Sequence, residues 1–536
     1  MRLDLRCQTE ADHKWKLGKN VFSLGCTERH RITLYYQQVR AFNLVYALKN
    51  KGLLEKDTKI CILGAGPAGV AAASAAAILE AEVVLLEKED DILGVLGQGC
   101  KQNKRRLFHP ALDKWPNPAW LNNRTDLPLF NWEQPTNLET SPQDLRCQFL
   151  TELRGIQNCP RNKLRVLTGF QGQPEWKHGQ WCVELGQCTE SYPSTKIAAA
   201  PTTTFDAKIL ILAFGFGGDK NPEYPGSFGY FENDAKLWDQ IDKLGVKTEP
   251  PSQDKLNAAM ADILEDETPK FNSHSSRDTQ SQNKVSKLPQ IIVSGSGDGA
   301  LIEAINAVSH SSTTTNGRQS EEPLNWRFTA LVNLFEDKDY IPNWNDLRLK
   351  LQELEEIIDS QKFTSEEMLS RYEQLEECAQ HKATLKKVDE ELRGTFKARR
   401  KAYLFHKDRH FMGVGNFAFL RFLVWRFVSM GLILPRRIEM TPEIYKIWRE
   451  IKGERTSCDL EFSSSGQQWK FPDIHFIIPR HGPSWPFSKQ SNNYLHLEDA
   501  AKVLQGLNEE DKTREVIWDA AFTERLRTHY ERGENP

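Results

Sequence analysis

Residues 59–87 carry the feature that most narrows what this chain can become. A short apolar run, Lys59–Leu63, leads directly into Gly64-Ala65-Gly66-Pro67-Ala68-Gly69. The Ala-rich stretch 71–81 follows, and then the apolar run Glu82–Leu86. Strand, glycine turn, helix and buried parallel strand in that order predict a βαβ unit built to receive the pyrophosphate of a dinucleotide. Gly64 makes the tight turn, Gly66 lets the backbone approach phosphate, and Gly69 lets helix and strand pack closely. The unpaired amides at the start of the helix supply the positive end that an anion needs. Glu87, with Lys88 beside it, ends the second strand at the distance of about 20 residues where a carboxylate accepts ribose hydroxyls. Pro67 and Ala68 complete the turn and belong to the same binding segment.

A chain of 536 residues exceeds one ordinary core, so at least two domains are expected. With 39% hydrophobic and 27% charged residues the composition is that of a folded, water-soluble protein. A formal net charge of −3 gives no pull toward nucleic acid or acidic lipid, so neither is expected as a partner. The ten cysteines are scattered without Cys-x-x-Cys spacing, which fits neither a zinc site nor a disulfide framework and suits a reducing cytosol. The first residues lack the apolar core of a signal peptide. The most membrane-like stretch, 416–434, is interrupted by Arg421 and Arg426 and makes a poor span. A cytoplasmic protein is expected. Fourteen tryptophans can line a pocket for planar rings or fill a core, and both uses stay open.

The chain divides as follows. Residues 1–57 form an N-terminal segment with an amphipathic helix over Tyr35–Lys49. Residues 58–249 form a first Rossmann-like domain, closed by a buried strand over Asp206–Ala213. Within it, 94–145 reads as a long functional loop. Residues 250–289 are polar and linker-like. Over 290–486 the pattern restarts: strand Gln290–Val293, a second turn at Gly295-Ser296-Gly297-Asp298-Gly299-Ala300, helix Leu301–Val308, strand Arg327–Phe335 and closing strand Asp473–Ile478. A charged helical hairpin is inserted at about 343–400, with capping-box spacing at Thr364–Glu367. Residues 487–536 are expected to form C-terminal surface helices. The fold class is therefore α/β, two Rossmann-like domains with a helical insertion.

Ile62-Leu63-Gly64-Ala65-Gly66-Pro67-Ala68-Gly69 resembles the FAD fingerprint of the two-dinucleotide-fold flavoproteins. That superfamily contains the flavin monooxygenases and the pyridine nucleotide-disulfide reductases. Asp206–Gly215 is similar to the strand that closes their FAD domain, with Phe214 where threonine is usual. The resemblance implies FAD at the first turn, with Gly215 beside it. The second turn resembles their nicotinamide half through Gly295, Gly297, Gly299 and Ala300, implying NAD or NADP. Asp298 departs from the pattern, since a carboxylate beside pyrophosphate repels it unless it points away. A Rossmann-like unit without ligand is the alternative for this half. Glu336, after the expected strand 327–335, is the candidate ribose acid and would favour NAD. The basic run Lys397–Lys401 either serves a 2′-phosphate or is a solvated helix face.

Catalytic candidates follow from the loop and the strand ends. Cys100 stands where the disulfide reductases carry a redox pair, but alone, so it offers single-thiol chemistry or is incidental. Arg106, His109 and Trp115 sit where the chain could return over the flavin, although their spacing is not that of the Baeyer–Villiger monooxygenases. His109 could equally be a packed loop histidine. Arg480 and His481 follow the last strand, where an arginine can hold phosphate and a histidine can relay a proton. The function expected is an FAD-dependent oxidoreductase accepting hydride from NAD(P)H, monooxygenase-like or a simple reductase, acting on a small molecule. The alternative is an FAD/NAD(P)-binding sensor or scaffold whose helical insertion 343–400 recruits a protein partner or a second copy.

Overall fold

The computed structural model describes residues 16–18, 20–24, 34–96, 115, 127–132, 142–170, 174–185, 189–190, 204–213, 290–295, 298–309, 312–315, 318–321, 341–360, 364–396, 400–407, 409–413, 418–453, 455, 457–464, 466–479 and 518–531. Its first half holds β1 (Lys16–Gly18), β2 (Val21–Ser23), α1 (Leu34–Asn50), β3 (Lys59–Leu63), α2 (Pro67–Ile78), β4 (Glu82–Leu86), α3 (Pro142–Asn158) and β5 (Lys163–Thr168). It continues with β6 (Glu175–Lys177), β7 (Gln180–Glu184), β8 (Thr189–Glu190), β9 (Thr204–Ala207) and β10 (Ile209–Leu212). One seven-stranded sheet runs β1-β2-β10-β3-β4-β5-β8. Its central strands are parallel, and only the outer two, β1 and β8, pair antiparallel. Counted from β3, the strands β5-β4-β3-β10 stand in the order 3-2-1-4, which is half of a doubly wound sheet.

The apolar runs of β3 and β4 follow from burial on both faces. Ile60, Ile62, Val83 and Leu85 point toward α1, α2 and α3, while Cys61, Leu63, Val84 and Leu86 point toward the antiparallel sheet β6-β7-β9. Helix α2 is buried along its whole length. That accounts for its alanines, because a helix pressed between a sheet and α1 has room for little more than a methyl group. The expected strand 206–213 is two strands with a break at Lys208. β9 belongs to the small antiparallel sheet and β10 to the parallel one.

The second half holds β11 (Gln290–Ser294), α4 (Asp298–Val308), β12 (Ser312–Thr315), β13 (Arg318–Glu321), α5 (Trp344–Ser360), α6 (Ser365–Glu377) and α7 (Ala379–Phe396). Then come β14 (Lys401–His406), α8 (Ala418–Ser429), β15 (Ile433–Arg437), α9 (Pro442–Lys452), β16 (Cys458–Ser464), β17 (Gln467–Pro479) and α10 (Ala520–Glu531). The sheet order is β15-β14-β11-β17-β16, parallel except for the β16–β17 hairpin. Counted from β11 the parallel strands again read 3-2-1-4. The second strand of this unit is β14. The strand expected at 327–335 lies outside the described residues, and β14 fills the place beside β11.

Among the described residues, 344–396 holds three helices where a hairpin of two is expected. The capping box is present, with the Thr364 hydroxyl accepting from Glu367 N and Glu367 Oε2 accepting from Thr364 N at 2.8 Å. The apolar faces turn inward: Leu347, Leu351, Met368, Tyr372, Val388 and Leu392 join the core around α4 and α8. Helix α8 accounts for the membrane-like stretch. It is buried nearly all round, and its two arginines are paired inside the protein. Arg421 meets Glu355, which also accepts from the Tyr372 hydroxyl at 3.3 Å, and Arg426 holds Asp389 through two bonds of 2.8 Å. Among the described residues no helix is long and apolar enough to cross a membrane. Of the C-terminal segment, α10 is described, and Phe522 and Leu526 bury it in the core of the first half.

Candidate functional site

The first turn is held open by backbone geometry. Gly64 adopts φ 101°, which a side chain would resist, and its N–H donates to the Leu86 carbonyl at 2.7 Å, tying the turn to β4. Gly66 is the N-cap of α2 with φ −75° and no side chain capping the helix. The helix-start amides are thus left for an incoming acceptor. Pro67 at the first helical turn has no N–H to lose. A Cβ placed on Gly66 would meet nothing within 4 Å. A Cβ on Gly69 would collide with the Gly64 carbonyl oxygen and lie 3.1 Å from its carbon and 3.2 Å from Ala213 Cβ. The two glycines therefore differ in kind: Gly69 serves packing, whereas Gly66 keeps a space clear.

Glu87 is fixed beside that space. Its Oε2 accepts from Ala65 N at 2.7 Å, and its Oε1 accepts from Lys88 N at 2.9 Å and Glu89 N at 3.2 Å. Each carboxylate oxygen keeps further acceptor capacity for a ribose hydroxyl. Lys88 itself is exposed and pairs with Glu89 at 3.2 Å, so it points to solvent. One supporting residue escaped the sequence reading. Arg146 on α3, nearly buried, donates to the Ile92 carbonyl at 3.1 and 3.3 Å and pairs with Asp91. The next residue, Leu93, donates from N to the Ala65 carbonyl at 2.9 Å. Arg146 thus braces the glycine turn from behind. The signal was an arginine between Leu145 and Phe149 on a helix face that is otherwise apolar.

The second turn repeats the first in outline. Gly295 has φ 135°, and its N–H donates to the Phe405 carbonyl at 2.8 Å, as Gly64 does to Leu86. Gly299 falls in the first turn of α4, and Ala300 is buried. Glu336, the expected ribose acid, lies outside the described residues. Phe405 answers Leu86, so His406 answers Glu87, and no carboxylate stands there. Of the basic run, residues 397–399 lie outside the described residues, and Arg400 is buried at the amino end of β14, away from the glycine turn.

Trp115 is a second correction. It is buried in an aromatic cluster, with ring centroids 5.0 Å from Phe419, 4.9 Å from Phe422 and 6.4 Å from Trp344. An indole so enclosed is a core side chain of the second half, not the wall of a flavin pocket. Cys100, Arg106, His109, Gly215, Gly297, Arg480 and His481 lie outside the described residues. Cys61 is fully buried on β3, and burial pushes its thiol well above the usual range, so it is unreactive.

No family model and no curated protein matches the chain. Solved structures similar to it include the bacillithiol disulfide reductase of Bacillus cereus, at 10% identity over 80% of this chain and 78% of that one, TM-score 0.33. A Lactococcus lactis thioredoxin reductase matches at 11% identity over 79% and 77%, TM-score 0.28. A lysine monooxygenase of Nocardia farcinica matches at 11% over 80% and 81%, TM-score 0.30.

Proposed function

We propose that the chain is an FAD-dependent oxidoreductase that draws hydride from a nicotinamide coenzyme, with a monooxygenase-like or simple reductase reaction. The observation that carries this is the duplicated unit. Two parallel sheets share the order 3-2-1-4, and in each the first strand ends in a positive-φ glycine bonded to the second strand. The residues of the first turn fit an adenine dinucleotide: Gly66 leaves its cleared space to the pyrophosphate, the α2 amides meet it, and Glu87 takes the adenosine ribose. Gly69, Arg146 and the Leu93–Ala65 bond hold these parts in place without touching the ligand. Bound FAD would supply the hydride acceptance and delivery, while the protein orients it and excludes water. Disulfide exchange is the less favoured chemistry, because the sequence has no Cys-x-x-Cys pair.

The test is the visible spectrum of the purified full-length protein, followed without oxygen on adding NADH and then NADPH. Flavin absorption that bleaches with either coenzyme supports the proposal. A protein that binds FAD but is reduced by neither is not an NAD(P)H oxidoreductase. One that cannot be loaded with FAD removes the flavin assignment as well.

A further inference from the structure

We infer that Trp115 is a positioning residue for hydride transfer: it fixes a stretch of the first half in the core of the second and so sets the two dinucleotide units against one another. This rests on the two-cofactor reading above. The crossing shows in the burial pattern. Leu96 is buried in the core around α1 and α2, Trp115 in the core around α4 and α8, and Leu127 in the first core again. Between Leu96 and Leu127 the chain therefore leaves one core, commits its largest side chain to the other and returns. The receiving socket is aromatic. Phe419 and Phe422 share one face of α8, and Trp344 opens α5. The Trp115 ring lies 5.0 Å from Phe419 and 4.9 Å from Phe422, separations at which aromatic rings attract. Trp344 and Phe422 also meet each other, with centroids 6.1 Å apart, so the socket walls brace one another.

The return anchor in the first half is firm. The Leu127 carbonyl accepts from Arg527 on α10 at 3.1 Å, and Phe130 N donates to Glu152 on α3 at 2.8 Å. Gln38 on α1, itself buried, donates to the Phe130 carbonyl at 3.1 Å and accepts from Trp132 Nε1 at 3.0 Å. Phe130 holds φ 51°, a conformation that a phenylalanine keeps only where its surroundings over-determine it. A tryptophan that merely filled the second core would need no such anchorage in the first. Two units of one chain move relative to one another unless a contact of this kind restrains them. Hydride transfer is sensitive to that motion, because the hydride passes directly from the reduced nicotinamide, which is oxidised, to the flavin, which is reduced. A misplacement of about 1 Å costs on the order of 100-fold in rate. The Trp115 ring touches neither cofactor in this assignment; it acts by holding the units in register.

The experiment compares full-length, FAD-loaded wild type with Trp115→Ala, Trp115→Phe and Phe419→Leu. Four quantities are measured: FAD affinity, affinity for NADH and NADPH, the rate of flavin reduction by bound coenzyme without oxygen, and the radius of gyration by small-angle scattering. For Trp115→Ala the expected result is wild-type affinity for both ligands, flavin reduction slower by about tenfold or more, and a larger radius of gyration. Trp115→Phe, which keeps a ring in the socket, should restore most of the rate. Phe419→Leu loosens the socket from the other side and should slow reduction in the same way, so the test stands even if Trp115→Ala does not fold. Coenzyme affinity lost in step with the rate would make Trp115 a stability element of the second half alone and overturn the inference. An unchanged rate with an unchanged radius of gyration overturns it as well. If wild type is reduced by neither coenzyme, the two-cofactor reading fails, and with it the role in hydride transfer; the scattering comparison then still decides whether Trp115 ties the two halves.

Discussion

Substituting Ala at Gly66 and at Gly69 should break two different things, although both changes add one methyl group to the same turn. At Gly69 the new Cβ would overlap the Gly64 carbonyl and press on Ala213 Cβ at 3.2 Å. Both obstacles are firmly placed, the first being backbone that Gly64 N ties to β4, so neither can rotate aside. Over-packing of this kind costs about 1–3 kcal/mol, and the absence of any flexible neighbour puts Gly69→Ala at about 3 kcal/mol or more. For a cooperative unit of 150–250 residues that lowers Tm by about 6–12 °C. At Gly66 the φ of −75° suits any residue and the Cβ meets nothing within 4 Å. The gain of about 0.4–1 kcal/mol from a stiffer unfolded chain roughly offsets the loss from alanine as an N-cap, so Tm should barely move. The methyl would instead stand where phosphate must approach. Losing two charge-assisted hydrogen bonds at about 1.5 kcal/mol each predicts FAD binding weaker by about 100-fold. Thermal unfolding of the FAD-free proteins and fluorescence titration with FAD separate the two effects. Wild-type FAD affinity in Gly66→Ala would refute the phosphate role of that space. An unchanged Tm in Gly69→Ala would refute the close packing of helix on turn.

Glu87→Ala strips the carboxylate from Ala65, Lys88 and Glu89 N–H groups and from the ribose, and should weaken FAD by about tenfold or more in the same titration. Arg421→Met leaves Glu355 buried without its cation and should cost about 3–5 kcal/mol in chemical denaturation; adding Glu355→Leu should recover most of it, and an equally unstable double variant would contradict the pair. Burial raises the Glu152 carboxyl to about 7, against the bond it accepts from Phe130 N. Its folded value lies above its unfolded one, so its stabilising contribution is full below pH about 4.5 and is lost as pH rises through about 7. Glu152→Gln, which keeps the acceptor, should therefore raise stability at pH 8 by on the order of 1–3 kcal/mol and change little at pH 4, a difference that paired denaturation curves would expose. Trp115→Ala should cost about 3–5 kcal/mol without altering FAD affinity, and a selective loss of flavin would return Trp115 to the pocket.

What could be read in advance was local in sequence, and what could not was set by strand pairing. The unit Lys59–Glu87 was legible because its strand, glycines, helix and acid lie within one short stretch, and every part answers to a nearby steric or hydrogen-bond demand. Gly64 takes a positive φ, Gly69 packs on the Gly64 carbonyl, and Glu87 accepts from Ala65 N. The second unit defeated the same reading at one step. Among the described residues a small β-hairpin and three further helices stand between α4 and β14, the strand beside β11. Pairing puts His406 at the end of the strand beside β11, far from that turn in sequence. Trp115 shows the same limit. Nothing in its neighbours Lys114 and Pro116 indicates that its partners are Phe419 and Phe422, some 300 residues on. The arginines of α8 misled less, because a charge in an apolar helix is uncommon enough to demand a partner. The sequence raised that demand, and only the fold could supply Glu355 and Asp389 to meet it.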